Sequence, residues 1–287
     1  MTRRGQTLFL ALGVIWGIPY LLIKVAMSGV TPATLVFART ALGGLLLLPV
    51  ALARGDLRPV LARWRPALAY TAVEIALPWY LLASAERRLT SSLSALVVAT
   101  VPIVGALLAR TTGARERLGA VRLAGLATGL AGVAVLVGLD VRASERGSIA
   151  GLLVVALAYA VGPLIAHRHL GDLPSLGVVA FSLVVSALLY APLALLQAPH
   201  HLPAAKVVLS LAGLGVVCTA GAFLAFFALI AEVGPARATV VAFVNPAFAV
   251  LLGVLVLGES FSIAMAVGFV LIIAGSVLST RTFVASM

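Results

Sequence analysis

Seven landmark residues of the chain return about 143 positions later: Pro19 as Pro163, Pro32 as Pro174, Pro49 as Pro192, Pro102 as Pro246, Glu116 as Glu259, Gly125 as Gly268 and Gly132 as Gly275. The offset stays between 142 and 144, so the 287 residues read as one unit written twice, 1–140 and 145–287. The boundary falls near Asp140 to Ser148, where turn formers and mixed charge interrupt two apolar runs.

Each copy holds five apolar stretches, near 7–27, 32–53, 66–85, 90–110 and 118–138, then 148–167, 174–196, 207–230, 235–257 and 261–280. Each approaches the roughly 20 residues that cross about 30 Å of hydrocarbon. With 62% apolar and 10% charged residues and a mean hydropathy of +1.18, the chain is not a water-soluble domain. The expected fold is an all-α integral membrane bundle of ten transmembrane helices. Five crossings per copy turn the second copy upside down in the bilayer, the plan of inverted-repeat carriers with a central cavity. Arg3 and Arg4 before the first run are read as the flank of a retained helix, because that run is too long for a cleaved signal.

The net charge of +11 is carried by short loops, which points to lipid headgroups and orientation and away from nucleic acid. With the amino terminus inside, thirteen arginines are cytoplasmic, eight of them in the stretches 54–65 and 110–122. Lys24, Arg87, Arg88, Arg142, Arg146 and Lys206 fall outside. The positive-inside bias therefore predicts both termini in the cytoplasm.

Several chemistries are excluded or unsupported. The only lysines, Lys24 and Lys206, lie in no phosphate-cradling G-x-x-x-x-G-K-[ST] loop, and no G-x-S-x-G serine occurs. His167, His169, His200 and His201 have no cysteine or acidic cluster beside them, so neither a metal nor a cofactor is expected. Cys218 is single and reads as a packing residue. Gly125, Gly129 and Gly132 leave one helix face bare, where a neighbour's backbone can approach.

Pro19, Pro78, Pro102, Pro163 and Pro246 fall inside apolar runs, where each removes a backbone donor and bends the helix. The freed carbonyls must face protein or a wet cavity. Two ionisable residues lie deep as well. Glu74 is on the order of 12 Å from the cytoplasmic end of the third run, and Arg39 roughly 10 Å from the outer end of the second. Either one alone in lipid costs about 3 kcal/mol or more, so each needs a partner or water. Their counterparts, Phe181 and Ala220 or a neighbour, are unlike them, which makes the pair candidate substrate contacts in an otherwise symmetric frame. Trp16, Tyr20, Trp79, Tyr80 and Tyr159 add rings with polar tips inside the spans, and Asn245 adds an amide.

Ala11-Leu-Gly-Val-Ile-Trp16-Gly17, Pro32 with Phe37-Ala-Arg39, and Asn245-Pro246 followed by Leu257-Gly258-Glu259, Gly268 and Gly275 together resemble the drug/metabolite transporter superfamily. The resemblance is to its ten-helix EamA-type members and, among them, to YddG-type exporters of aromatic and other neutral amino acids. It implies alternating access in a bacterial inner membrane. Tyr159-Ala160 stands where many members carry tryptophan. Glu116 and Glu259 match the family's glutamate and are expected to cap the helix that follows each. The expected cargo is a small amphiphilic metabolite, a neutral or aromatic amino acid, carried by a monomer. A hydrophobic cation or drug exchanged for a proton at Glu74 is the second reading, and a membrane enzyme acting on lipid a remote third.

Overall fold

The computed structural model describes residues 2–111, 120–140, 143–199, 201–234, 238, 241 and 244–285. Glu116, His200 and part of the 140–148 boundary lie outside them. Among the described residues the structure is helical throughout, with six helices long and apolar enough to cross a membrane: α1 Arg3–Ala26, α2 Pro32–Ala53, α3 Trp64–Glu86, α6 Arg146–Leu170, α7 Ser175–Leu196 and α8 Ala205–Val233. Four shorter apolar helices complete the set, α4 Ser91–Gly105, α5 Leu123–Val135, α9 Asn245–Leu257 and α10 Ile263–Leu278.

The chain is dressed for lipid. Leu45, Leu188, Leu196 and Leu255 point outward, while Thr40, Thr71, Ser92, Ser182, Ser186, Thr219 and Ser276 are buried. Apolar surface costs nothing against acyl chains, whereas hydroxyls need protein partners. Thr71 shows the consequence: its hydroxyl donates to the Ala67 carbonyl (2.8 Å) and accepts from the Ser182 hydroxyl on α7 (2.8 Å).

Helix pairings recur between the halves. α2 packs on α7 and α5 on α10; α1 packs on α9 and α8, as α6 packs on α4 and α3. The α5–α10 contact runs through the glycine face anticipated from spacing. A Cβ on Gly275 would lie 2.6 Å from the Gly125 carbonyl and strike the Gly129 backbone.

Helix ends follow from local chemistry. Thr2, Thr31 and Thr90 cap α1, α2 and α4 by accepting from Gly5, Thr34 and Leu93 N–H, each worth about 1 kcal/mol. Gly258 closes α9 in the left-handed conformation (φ 65°), which a side chain would strain. The Glu259 N–H then donates back to the Gly253 carbonyl (3.1 Å). This turn aims the Glu259 carboxylate at α4, where it accepts from Ser91 N (2.7 Å), Ser92 N (3.0 Å) and Ser92 Oγ (2.6 Å). Glu259 thus caps α4, and not the next helix as expected; Ser262 does that, accepting from Met265 N (3.0 Å). The difference is one of reach: the αL turn directs the glutamate sideways into the bundle.

The prolines divide by setting. Pro19 and Pro163 lie within continuous helix. Pro78 follows a π turn inside α3, whereas Pro102 and Pro246 each stand in the first turn of a new helical segment, Val101–Thr111 and Asn245–Leu257. There the missing N–H is not required. The break before Pro102 leaves the Ala99 carbonyl to Ser276 Oγ of α10 (3.4 Å). Before Pro78, residues Thr71–Ala76 widen into a π turn, and about 145 positions later Val216–Gly221 does the same within α8. A third π turn, Ala166–Leu170, ends α6.

Candidate functional site

Five helices converge on one buried arginine. Arg39 of α2 is only 6% exposed, its guanidinium carbon 3.6 Å from the centroid of the Trp79 ring on α3. Its Nε donates to Thr219 Oγ1 in the π turn of α8 (2.9 Å). The Thr219 hydroxyl gives its own proton to the Leu214 carbonyl (2.8 Å), which leaves its lone pairs for the arginine. A desolvated cation–π contact of about 2 kcal/mol and a charged hydrogen bond of about 1.5–3 kcal/mol offset the cost of keeping this cation out of bulk water. Among the described residues, the two terminal Nη atoms have no acceptor.

Around this pair stand Tyr159 of α6, whose hydroxyl faces the Trp79 indole, and Tyr20 of α1. Both feel the Arg39 charge, as does Cys218 beside Thr219. Glu74 occupies the π turn of α3. Its Oε2 is buried without a partner, and it lies so close to Gly162 of α6 that a Cβ there would overlap the carboxylate. Tyr159 is within electrostatic reach of both Arg39 and Glu74. A cation with free donors and a carboxyl group with a free oxygen therefore both lie within reach of one phenol. Such an arrangement can bind opposite charges on one small molecule.

Arg39, Trp79, Tyr159, Tyr20 and Glu74 are thus neighbours, while three other candidates stand apart. Tyr80 is rotated about 100° from Trp79 by helix geometry and stacks on Tyr190 of α7 (5.7 Å between centroids, 15° between planes). Trp16 packs on Phe226 (4.9 Å) in a separate apolar cluster with Leu12, Leu229 and Val241. Asn245 begins α9 with its Oδ1 buried and without a partner, and its carbonyl lies against Gly17.

Two residues escaped sequence reading. Thr219 was one more small residue in an apolar run; its one signal was its place beside Ala220, the position opposite Glu74. Glu86, the last residue of α3, is fully buried with neither carboxylate oxygen hydrogen-bonded. Beside it Lys24 Nζ donates to the carbonyls of Glu86 (2.8 Å) and Leu89 (2.6 Å), closing the carboxyl end of α3 as the helix dipole favours. Counting Lys24 as a loop charge concealed this role.

The two ends of the bundle differ. Where α2 and α6 begin and α3 and α7 end, a cavity of about 740 Å³ is lined by Thr31, Tyr80, Ser84, Arg87, Arg88, Gln197 and their neighbours. At the other end, Arg63 holds Asp172 with two parallel bonds (2.5 and 2.8 Å) and donates to the His169 carbonyl (3.1 Å). The hydrogen bonds from Arg63 keep the Asp172 carboxyl below the usual carboxylate range.

Comparison with known proteins places these features. The profile of the EamA-like transporter family matches residues 3–138 and again 146–281. The chain is 31% identical over 258 residues to the uncharacterized inner membrane transporter YedA of Escherichia coli K12, covering 88% of this chain and 82% of the relative. The YedA proteins of strains O6:H1 and O157:H7 match equally. One solved crystal structure superposes with a TM-score of 0.68 at 22% identity, covering 98% of both chains, a likeness of fold.

Proposed function

Because the chain belongs to the EamA-like transporter family of the drug/metabolite transporter superfamily, and so is a membrane transporter and not an enzyme, we propose that it exports small zwitterionic amphiphiles, neutral or aromatic amino acids above all. In this reading it is a monomeric carrier of the bacterial inner membrane with both termini cytoplasmic. Ten spans form two inverted five-helix repeats, 1–140 and 145–287, that alternate access to the Arg39 cluster. The twice-matched family profile and the recurring helix pairings support the repeat.

The observation that supports the cargo assignment is that Tyr159 lies within electrostatic reach of both Arg39, stacked on Trp79, and Glu74. The Nη donors of Arg39 take the carboxylate, Glu74 takes the ammonium group, and Trp79, Tyr159 and Tyr20 hold the apolar body. A carboxylate on the guanidinium replaces water at charge-assisted hydrogen bonds worth about 1.5–3 kcal/mol each. Pro163 cannot donate to the Tyr159 carbonyl, so α6 lacks one backbone bond at the residue that feels both charges. The clasp of Arg63 on Asp172, at the end read as cytoplasmic, fits a member of the cycle that is closed on that side.

Efflux of amino acids from loaded proteoliposomes tests the proposal. Arg39→Ala and Glu74→Gln are each expected to lower flux by about 100-fold or more, matching a lost charged contact of about 3 kcal/mol. Unchanged flux in both variants sinks the assigned path. The partnerless Oε2 of Glu74 favours one second reading, exchange of a proton for a hydrophobic cation. Flux driven by a pH gradient and indifferent to amino acids would select it.

A further inference from the structure

We propose that the cavity at the shared end of α2, α3, α6 and α7 is a second binding site, separate from the Arg39 cluster, that takes an oxyanion carried on an apolar body. The oxyanion is a carboxylate or a phosphate group. The cavity of about 740 Å³ is within the range that encloses a small organic ligand. Its wall includes both Arg87 and Arg88, and no acidic residue lines it. Glu86, the residue before them, is buried in the bundle and unavailable to them. Among the described residues neither guanidinium has a hydrogen-bonding or ion-pair partner. Two adjacent guanidiniums without a counter-charge attract an oxyanion and present the forked donors that suit it.

The rest of the wall matches the remainder of such a ligand. Tyr80, fixed by its stack on Tyr190, offers an aromatic face, and Ser84 and Thr31 offer hydroxyls. The position of the charges is a separate argument. The turn after α3 holds two arginines on the side that the positive-inside bias leaves poor in them, so orientation in the membrane does not account for them. That last step rests on the proposed topology; the cavity and its free guanidiniums do not.

Two sources supply this chemistry, a solute with a carboxylate or the phosphate of an anionic lipid, and binding measurements separate them from transport. The purified chain in phosphatidylcholine nanodiscs is titrated with 3-phenylpropionate by calorimetry. The same chain, extracted from membranes containing phosphatidylglycerol, is weighed by native mass spectrometry for retained lipid. The wild type is expected to show one of the two signals. The exposed double substitution Arg87→Gln and Arg88→Gln is expected to weaken it at least about tenfold, as loss of charge-assisted bonds requires. Arg39→Ala, which removes the carboxylate site proposed at the central cluster, retains the component of binding that the double substitution removes. Loss of phenylpropionate binding identifies a solute site, and loss of retained lipid a headgroup site. Wild type that binds neither, or a double variant that binds as wild type with an unchanged melting temperature, overturns the proposal. None of these outcomes depends on whether amino acids are exported.

Discussion

The π turn of α3 and the π turn of α8 use one backbone solution for two different purposes. In α3, Leu77 N–H donates five residues back to Ala72, accommodating Pro78, and the widened turn presents Glu74. In α8, Ala222 N–H likewise reaches Val217, five residues back, and the turn presents Cys218 and Thr219. The first delivers a carboxylate with a free oxygen; the second delivers a hydroxyl that holds Arg39 in place. In the proposed duplication the repeated unit supplies the scaffold, and substitution at matching places within it supplies the chemistry. π turns suit such sites because they leave backbone groups loosely committed and shift the register of side chains on one face.

The sharpest way to break this comparison is to crowd each turn from its neighbouring helix. Gly162→Ala drives a methyl group into the Glu74 carboxylate, with Cδ at 2.9 Å and an oxygen closer still. Overpacking of that kind costs about 1–3 kcal/mol and displaces the acid, so flux is expected to fall by 100-fold or more. Gly43→Ala on α2 presses instead on the Thr219 methyl group, at 2.8 Å, and not on the hydroxyl that holds Arg39, so a smaller fall of about tenfold is expected. Equal losses in proteoliposomes would mean that the two turns are not functionally distinct.

A milder pair exchanges hydroxyls for methyl groups. Thr219→Val removes the acceptor of Arg39 Nε at nearly constant volume. Loss of a charged hydrogen bond of about 1.5–3 kcal/mol predicts a fall in flux of roughly 10- to 100-fold. Thr71→Val, in the other turn, removes only the neutral bond to Ser182 and the helical back-bond to Ala67. It is expected to cost about 1 kcal/mol of stability, seen as a lower melting temperature, with flux preserved.

Much of this organisation was legible before the structure, and the misses have physical causes. Apolar runs long enough to span and residues returning at a fixed offset are signals of composition and spacing, so membrane class and helix order were readable. Arg39 and Glu74 stood out because isolated charge in an apolar run is costly. The partners of those charges were not readable. Thr219 contacts Arg39 across 180 positions, and nothing in an apolar run distinguishes one threonine from another. Trp79 and Tyr80 look equivalent as adjacent aromatics, yet a helical step sends one to Arg39 and the other to Tyr190. Glu259 was recognised as a cap, but its target is set by the Gly258 turn, a matter of backbone direction in three dimensions.

The smallest expected effect concerns the ends of the bundle, where the halves also diverge. Arg63 and Asp172 form a forked ion pair, whereas their counterparts about 143 positions away are Lys206 and Gly29, and Gly29 has no side chain to offer and faces Val207. Only the end bearing the clasp should respond to acid. Asp172 titrates below its ordinary value in the folded chain, so its contribution is present above the unfolded pKa of about 3.9 and lost as pH falls through the folded value. The clasp is therefore intact at neutral pH. It weakens only below about pH 4. Both partners are well exposed, so water and salt screen the pair. Asp172→Asn should change the transport rate at pH 7 by only about twofold. A cysteine pair replacing Arg63 and Asp172, oxidised to a disulfide, should instead arrest transport if this end must open in each cycle. Full flux through the cross-linked chain would show that the clasp is a static brace, and the comparison between the two ends would lose its functional meaning.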